Sequence, residues 1–216
     1  MTDAVTPKQF HESEGVDDWR VLAGRATAYF RAGSFARGVE LIDAITVFAE
    51  AANHHPDVDL RYSGVTVRLS SHDIQGLSRR DIALAQKISL AARDMGIPAD
   101  PTMSENVQIT IDAMDIATVR TFWRAVLAYR DVGEEDLVDP RSIGPSIWFQ
   151  QMDVPRTQRN RVHVDIDVPH DTIEARVAAV IDAGGRLVTD AYAPRWWVLA
   201  DSEGNEACLA SWLGQE

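Results

Sequence analysis

Along the chain, apolar positions switch between helical and strand spacing in an order that predicts two packed units. From Ser34 to Ala52, the residues Phe35, Val39, Ile42, Ile45, Phe48, Ala49 and Ala52 recur at helical spacing, behind a serine suited to cap the first turn. In "DVDLRYSGVTVRLSSH" that follows, Val65, Val67 and Leu69 alternate with Thr66, Arg68 and Ser70, and "SG" parts this run from an earlier extended one. That is the pattern of a β-hairpin. "SRRDIALAQKISLAARDMG" opens with Ser78 and Asp81 at capping-box spacing, carries Ile82, Ala85, Ile88, Ala92 and Met95 on one face, and stops at Gly96.

Residues 96 to 106, "GIPADPTMSEN", hold two prolines, little apolar content and no periodicity, so the boundary is expected here, with units at 1–98 and 105–216. Beyond it one pattern occurs twice. "VQITIDAMDIATVRTFWRAVLAYRDV" reads as strand, helix, strand, and so does "RVHVDIDVPHDTIEARVAAVIDAGGRLV". Strand-like material follows each copy: "PSIWFQQM" after the first, and "RWWVLADSEGNEACLASW", with "DSEGN" as its turn, after the second. Two β-α-β-β-β modules describe this half economically.

Composition narrows the picture. The chain has 216 residues, 45% hydrophobic and 25% charged, with no apolar run long enough for a membrane span, so a soluble protein without a membrane partner is expected. Its single cysteine, Cys208, excludes an internal disulfide and fits a reducing compartment, and its polar, acidic N-terminus lacks the pattern of a secretory signal. A cytoplasmic location is expected. The net charge of −12 leaves neither half basic, which argues against nucleic acid and for a small molecule as partner.

Two of the six histidines stand together in "EAANHHPDVDLRY". Proline disfavours helical geometry at the residue before it, so His54 and His55 are expected where a helix gives way to a strand. His72 lies just past the strand ending near Leu69, and the hairpin can return it to that helix end, with Asp81 close by. Imidazoles both donate and accept protons near neutrality, which suits general acid–base work. The plainer alternatives are solvated histidines at a helix C-terminus, favoured by the helix dipole, and an Asp81 that only caps a helix. Zinc is a further alternative, without a neighbouring cysteine to complete a familiar ligand spacing.

The run "AEAANHHPDVDLRYSGVTVRLSSHDIQGLSRRDIALAQKI", with "DDWRV" and "SFARGVELIDAITVFAE" upstream, resembles the pterin-4a-carbinolamine dehydratases over about residues 15 to 96. The resemblance implies an α+β fold with a four-stranded antiparallel sheet covered by helices, assembly into a homodimer or homotetramer, and a reaction that needs no cofactor. That reaction removes water from a 4a-hydroxytetrahydropterin to give the quinonoid dihydropterin. The family's active-site histidines fall on His54, His55 and His72, its acidic helix-start residue on Asp81, its supporting glutamate on Glu50 and its arginine on Arg80. At Asn53 the family often has aspartate, so this substrate-side position departs from the pattern. A non-catalytic pterin-binding or protein-interaction scaffold is the alternative use of such a fold.

Residues 107 to 212 resemble a glyoxalase-like domain of the vicinal-oxygen-chelate superfamily, through "FWRAVLAY", "NRVHVDIDV" and "DSEGNEACL". Such domains pair β-α-β-β-β modules and often hold a metal at four strand positions. Here His163 and Glu206 stand at two of them, while Gln108 and the "IWFQ" stretch offer no His, Asp or Glu, so no metal is expected and these two are only weak candidates. Strand alternation puts Arg161, His163, Asp165 and Asp167 on one face and Val162, Val164, Ile166 and Val168 on the other. Trp148, Trp196 and Trp197 are candidates to line a pocket for a flat ligand, or are packing residues. A lyase or dioxygenase activity in this half is the remaining alternative.

Overall fold

The computed structural model describes residues 3–156, 158, 163–211 and 213. The chain is α+β and divides into two compact units, Met1–Asn106 and Val107–Glu216.

The first unit runs β1 (Ala4–Val5), α1 (Pro7–His11), β2 (Arg20–Leu22), β3 (Arg25–Phe30), α2 (Phe35–Ala52), β4 (Asp57–Arg61), β5 (Gly64–Leu69), β6 (Leu77–Ser78) and α3 (Arg79–Asp94). Strands β2, β3, β5 and β4 form, in that order, an antiparallel sheet, and β1 pairs with β6 in a separate two-stranded ribbon. Ser34 caps α2 by accepting from the Arg37 N–H, and Ser78 and Asp81 form the capping box of α3. The stripe that α2 buries is Gly38, Leu41, Ile45 and Ala49, whereas Phe35 and Val39, at matching helical spacing, face solvent. Gly38 decides this: a Cβ there would stand 2.4 Å from Leu60 Cδ1 and 3.2 Å from Val65 Cγ2, so glycine lets the helix lie directly on β4 and β5.

Helix α3 presents Leu84, Ala85, Ile88 and Ala92 to the same core, which Phe10, Trp19, Phe30 and Leu69 fill. Complete burial of such side chains contributes about 1.5–3 kcal/mol each. Trp19 keeps its polar end satisfied by donating to Ser89 Oγ at 3.0 Å. The segment after α3 is part of this unit. Ile97 is buried, the Arg31 N–H donates to the Pro98 carbonyl and the Asp100 N–H to the Tyr29 carbonyl, both at 2.8 Å, before a 3-10 turn at Pro101–Met103.

The second unit contains β7 (Gln108–Ala113), α4 (Ile116–Leu127), β8 (Arg130–Val132), β9 (Asp136–Val138) and β10 (Ser146–Gln151), then β11 (Val164–Asp167), α5 (Ile173–Asp182), β12 (Arg186–Thr189), β13 (Trp196–Ala200) and β14 (Glu206–Ala210). The two halves of this unit share one topology. β7 pairs parallel with β10, which continues antiparallel to β9 and β8, and β11 pairs parallel with β14, which continues antiparallel to β13 and β12. The "DSEGN" turn ties the modules together: Glu203 accepts the backbone N–H groups of Met114 and Asp115, each at 2.7 Å, and Asp201 accepts from Trp123 Nε1 at 3.1 Å. Arg161 and Val162 lie outside the described residues.

Candidate active site

Asn53 ends α2 in the left-handed conformation (φ 46°, ψ 43°), and its N–H turns back to the Ala49 and Glu50 carbonyls. Asparagine tolerates this geometry better than residues with larger side chains. The reversal sends the next two residues in different directions. His54 turns inward and is buried; His55 stays exposed and pairs through Nε2 with Glu50 Oε1 at 3.0 Å.

His54 Nε2 lies 2.7 Å from Oδ1 of Asp81, a carboxylate with no exposed surface. The other oxygen, Oδ2, accepts from Ser71 Oγ at 2.8 Å, the Ser78 N–H at 2.7 Å and Ser78 Oγ at 3.1 Å. With Asp81 acting as acceptor throughout, His54 donates from Nε2 and keeps its Nδ1 lone pair, so the carboxylate fixes both the ring's orientation and its tautomer. Asp81 thus caps a helix and grips a histidine together. Ser71 completes the network; its sequence context, next to His72 at the strand end, hints at the role, but the contact spans ten residues and needs the fold to be seen.

His72 is exposed, in the turn after β5 that the Ser71–Gly76 bridge closes. Its neighbour Asp73 accepts two hydrogen bonds from Arg80 Nη2, at 2.7 and 2.9 Å, and Arg80 Nε sits 3.5 Å from Asp3 and 3.3 Å from Ser78 Oγ. Arg80 therefore holds the His72 turn against the start of α3. The hydrogen bonds from Arg80 keep the Asp73 carboxyl below the usual range. His54, Ser71, Asp73, Ser78, Arg80 and Asp81 thus form one hydrogen-bonded network where the end of α2, the end of β5 and the start of α3 meet, with the His55–Glu50 pair next to it in the chain and His72 in the same turn as Asp73.

In the second unit, a cavity of about 1010 Å³ is lined by Thr110, Asp112, Arg156, His163, Glu203 and Glu206 among others. Its donors do not fit a metal held at four strand positions: Gln108 and the 147–150 stretch contribute no His, Asp or Glu, and two ligands fall short of the three that a catalytic metal keeps. His163 Nε2 instead lies 3.3 Å from Asp165 Oδ1. The candidate tryptophans Trp148, Trp196 and Trp197 line neither this cavity nor the smaller one beside β7 and β11, whereas Trp123 lines both. Trp148 donates to Glu135, Trp196 stacks on Tyr192 with centroids 4.5 Å apart, and Trp197 packs on the core. Among the described residues, no helix is long and apolar enough to cross a membrane.

Residues 3–91 match the family model described as pterin 4 alpha carbinolamine dehydratase, and residues 108–210 match that of a glyoxalase-like domain. A protein of Herpetosiphon aurantiacus is 39% identical over 70 residues, covering 32% of this chain and 73% of its own length. One of Nocardia farcinica is 39% identical over 80 residues, covering 37% and 84%. Both carry the name "Putative pterin-4-alpha-carbinolamine dehydratase". Among solved structures, a transcriptional coactivator/pterin dehydratase from Brucella melitensis matches at TM-score 0.39 and 25% identity, over 41% of this chain and 97% of that one. A glyoxalase/bleomycin resistance protein/dioxygenase family enzyme from Burkholderia phytofirmans matches at TM-score 0.40 and 18% identity, over 48% and 95%.

Proposed function

This chain belongs, through residues 3–91, to the pterin 4 alpha carbinolamine dehydratase family, and from that premise we propose that its paired histidines dehydrate a 4a-hydroxytetrahydropterin by general acid–base catalysis. The observation that carries the reading is the division of labour between the two: His54 buried and oriented by Asp81, His55 exposed and paired with Glu50. Dehydration breaks the C4a–O bond. The leaving oxygen needs a proton to depart as water, and the N5 proton must be taken as the C4a–N5 double bond forms. His55 is the principal acid–base group, reachable from solvent and held by its contact with Glu50. His54 and His72 orient the hydroxyl and share protons, Asp81 holds His54 in one tautomer, and Arg80 keeps the His72 turn in place. No electron changes hands, so these side chains suffice without a redox group. A homodimer or homotetramer in a reducing cytoplasm belongs to the same reading.

The test is stopped-flow absorbance of 4a-hydroxytetrahydropterin decay with the full chain. Acceleration over the uncatalysed rate, with a quinonoid dihydropterin as product, is expected. Decay at the uncatalysed rate would leave the histidines as a binding surface only.

A further inference from the structure

Strands β11 and β14 run parallel, with Val164 opposite Ala207 and Asp165 opposite Cys208. Alternation puts Val164, Ile166, Ala207 and Leu209 on the face that packs into the core. The other face carries His163, two residues before Asp165, and so gathers an imidazole, a carboxylate and a thiol. One donor atom from each of His163, Asp165 and Cys208 lies within 4.8 Å of the other two. His163 and Asp165 are exposed and Cys208 is half-buried, so an ion in solution can reach them.

We propose that His163, Asp165 and Cys208 form a zinc-binding site with one coordination position left open. Nitrogen, oxygen and thiolate are all established zinc donors, and with bonds of about 2.0–2.3 Å a tetrahedral ion holds its donors about 3.3–3.7 Å apart. The His163 Nε2–Asp165 Oδ1 separation of 3.3 Å already matches that spacing, and all three donors lie within 4.8 Å of one another. The thiolate favours zinc over magnesium or calcium, which prefer oxygen-only sites. Three protein ligands and an open position are the make-up of a catalytic rather than a structural zinc site, and of the three ligands His163 also lines the large cavity.

The set belongs to one module. At the corresponding ladder position of the first module, Thr110 stands opposite Trp148, a pair without a metal donor of this kind. It also differs from a pairing of His163 with Glu206, because Asp165 and Cys208 are the partners. Nothing in it depends on the dehydratase reading of the first half.

The site is tested on the full chain with metal alone. Cys208 is the only cysteine, so its alkylation by iodoacetamide reports on the site without any substitution. Zinc is expected to slow that reaction at least tenfold, and a chelator to restore it. Cobalt in place of zinc is expected to bind once per chain with a thiolate-to-cobalt absorption band, which Cys208→Ser removes and Asp165→Asn weakens at least tenfold in affinity, while both variants keep the parent circular dichroism. Alkylation indifferent to zinc, cobalt bound without the thiolate band, or a band lost in Glu206→Gln but unchanged in Asp165→Asn would each overturn the assignment.

Discussion

Replacing Asp81 by asparagine keeps the shape of the side chain and removes its charge. In the protein both carboxylate oxygens are engaged: Oδ1 by His54 Nε2, and Oδ2 by the Ser71 hydroxyl and by the Ser78 N–H and hydroxyl. An amide has one oxygen and one donor nitrogen. If the oxygen keeps Ser71 and the Ser78 N–H, the nitrogen faces His54 Nε2, which must give up its proton to Nδ1. Hydrogen bonds to a charged group contribute roughly 1.5–3 kcal/mol and neutral ones about 1 kcal/mol, so weakening the Ser71 and Ser78 bonds together costs about 2–3 kcal/mol. For a unit of roughly 100 residues that lowers Tm by roughly 10–20 °C. The altered tautomer is expected to slow dehydration by roughly 10²-fold, the lower end of what positioned acid–base groups contribute. Ser78→Ala is the control. It removes a capping hydroxyl, at a cost of about 1 kcal/mol, but leaves His54 on its carboxylate, so Tm falls while the rate stays near that of the parent. Calorimetry and stopped-flow absorbance on both variants decide the matter. If Asp81→Asn loses stability but keeps the full rate, Asp81 is a helix cap and the tautomer argument is refuted.

Asp139 in the second unit offers a pH test. Burial pushes its pKa up, but hydrogen bonds from Arg141 and from the backbone N–H groups of Gly144, Arg141 and Ile143 outweigh this and bring it from 3.8 to about 2. A carboxyl depressed on folding stabilises above its unfolded pKa and loses that contribution as pH falls through the folded one. Asp139→Asn is therefore expected to cost about 2 kcal/mol at pH 6 in urea unfolding, the difference shrinking between about pH 4 and pH 2. At the left-handed cap, Asn53→Gly is expected to leave Tm nearly unchanged, whereas Asn53→Val costs about 1–2 kcal/mol and displaces both histidines, seen as lower Tm and slower dehydration. Gly38→Ala drives a methyl group into Leu60 and is expected to cost about 1–3 kcal/mol by thermal unfolding.

Local chemistry that is spelled out in one stretch was legible in the sequence. Ser34, the Ser78–Asp81 box and the alternation of Val65, Val67 and Leu69 mark α2, α3 and β5 because each depends on neighbours a few residues away. Strand β3 was not, since Ala26, Thr27, Ala28, Tyr29 and Phe30 are all buried and no exposed face marks it. The exposed Phe35 and Val39 mislead for the opposite reason: helical spacing marks a stripe, and only the close approach at Gly38 decides which stripe the sheet covers. Residues 96 to 106 read as a linker from their prolines, yet Ile97 and Asp100 hold to β3 by burial and backbone bonds that a composition argument does not contain. At the site, adjacency in "HHPD" says nothing of one ring being buried and the other exposed, which follows from the left-handed turn at Asn53. The tryptophans show the limit of residue type alone, because strand alternation sends Trp196 and Trp197 to opposite faces of β13.

The central claim is that His55, exposed beside Glu50, moves the protons of dehydration. The most direct test is the stopped-flow decay rate of 4a-hydroxytetrahydropterin with His55→Ala against the parent chain, at one pH and with Tm measured on both. An exposed histidine should contribute little to stability, so Tm is expected to hold while the rate falls by about 10²-fold or more. A variant that keeps both its Tm and the parent rate would contradict the claim.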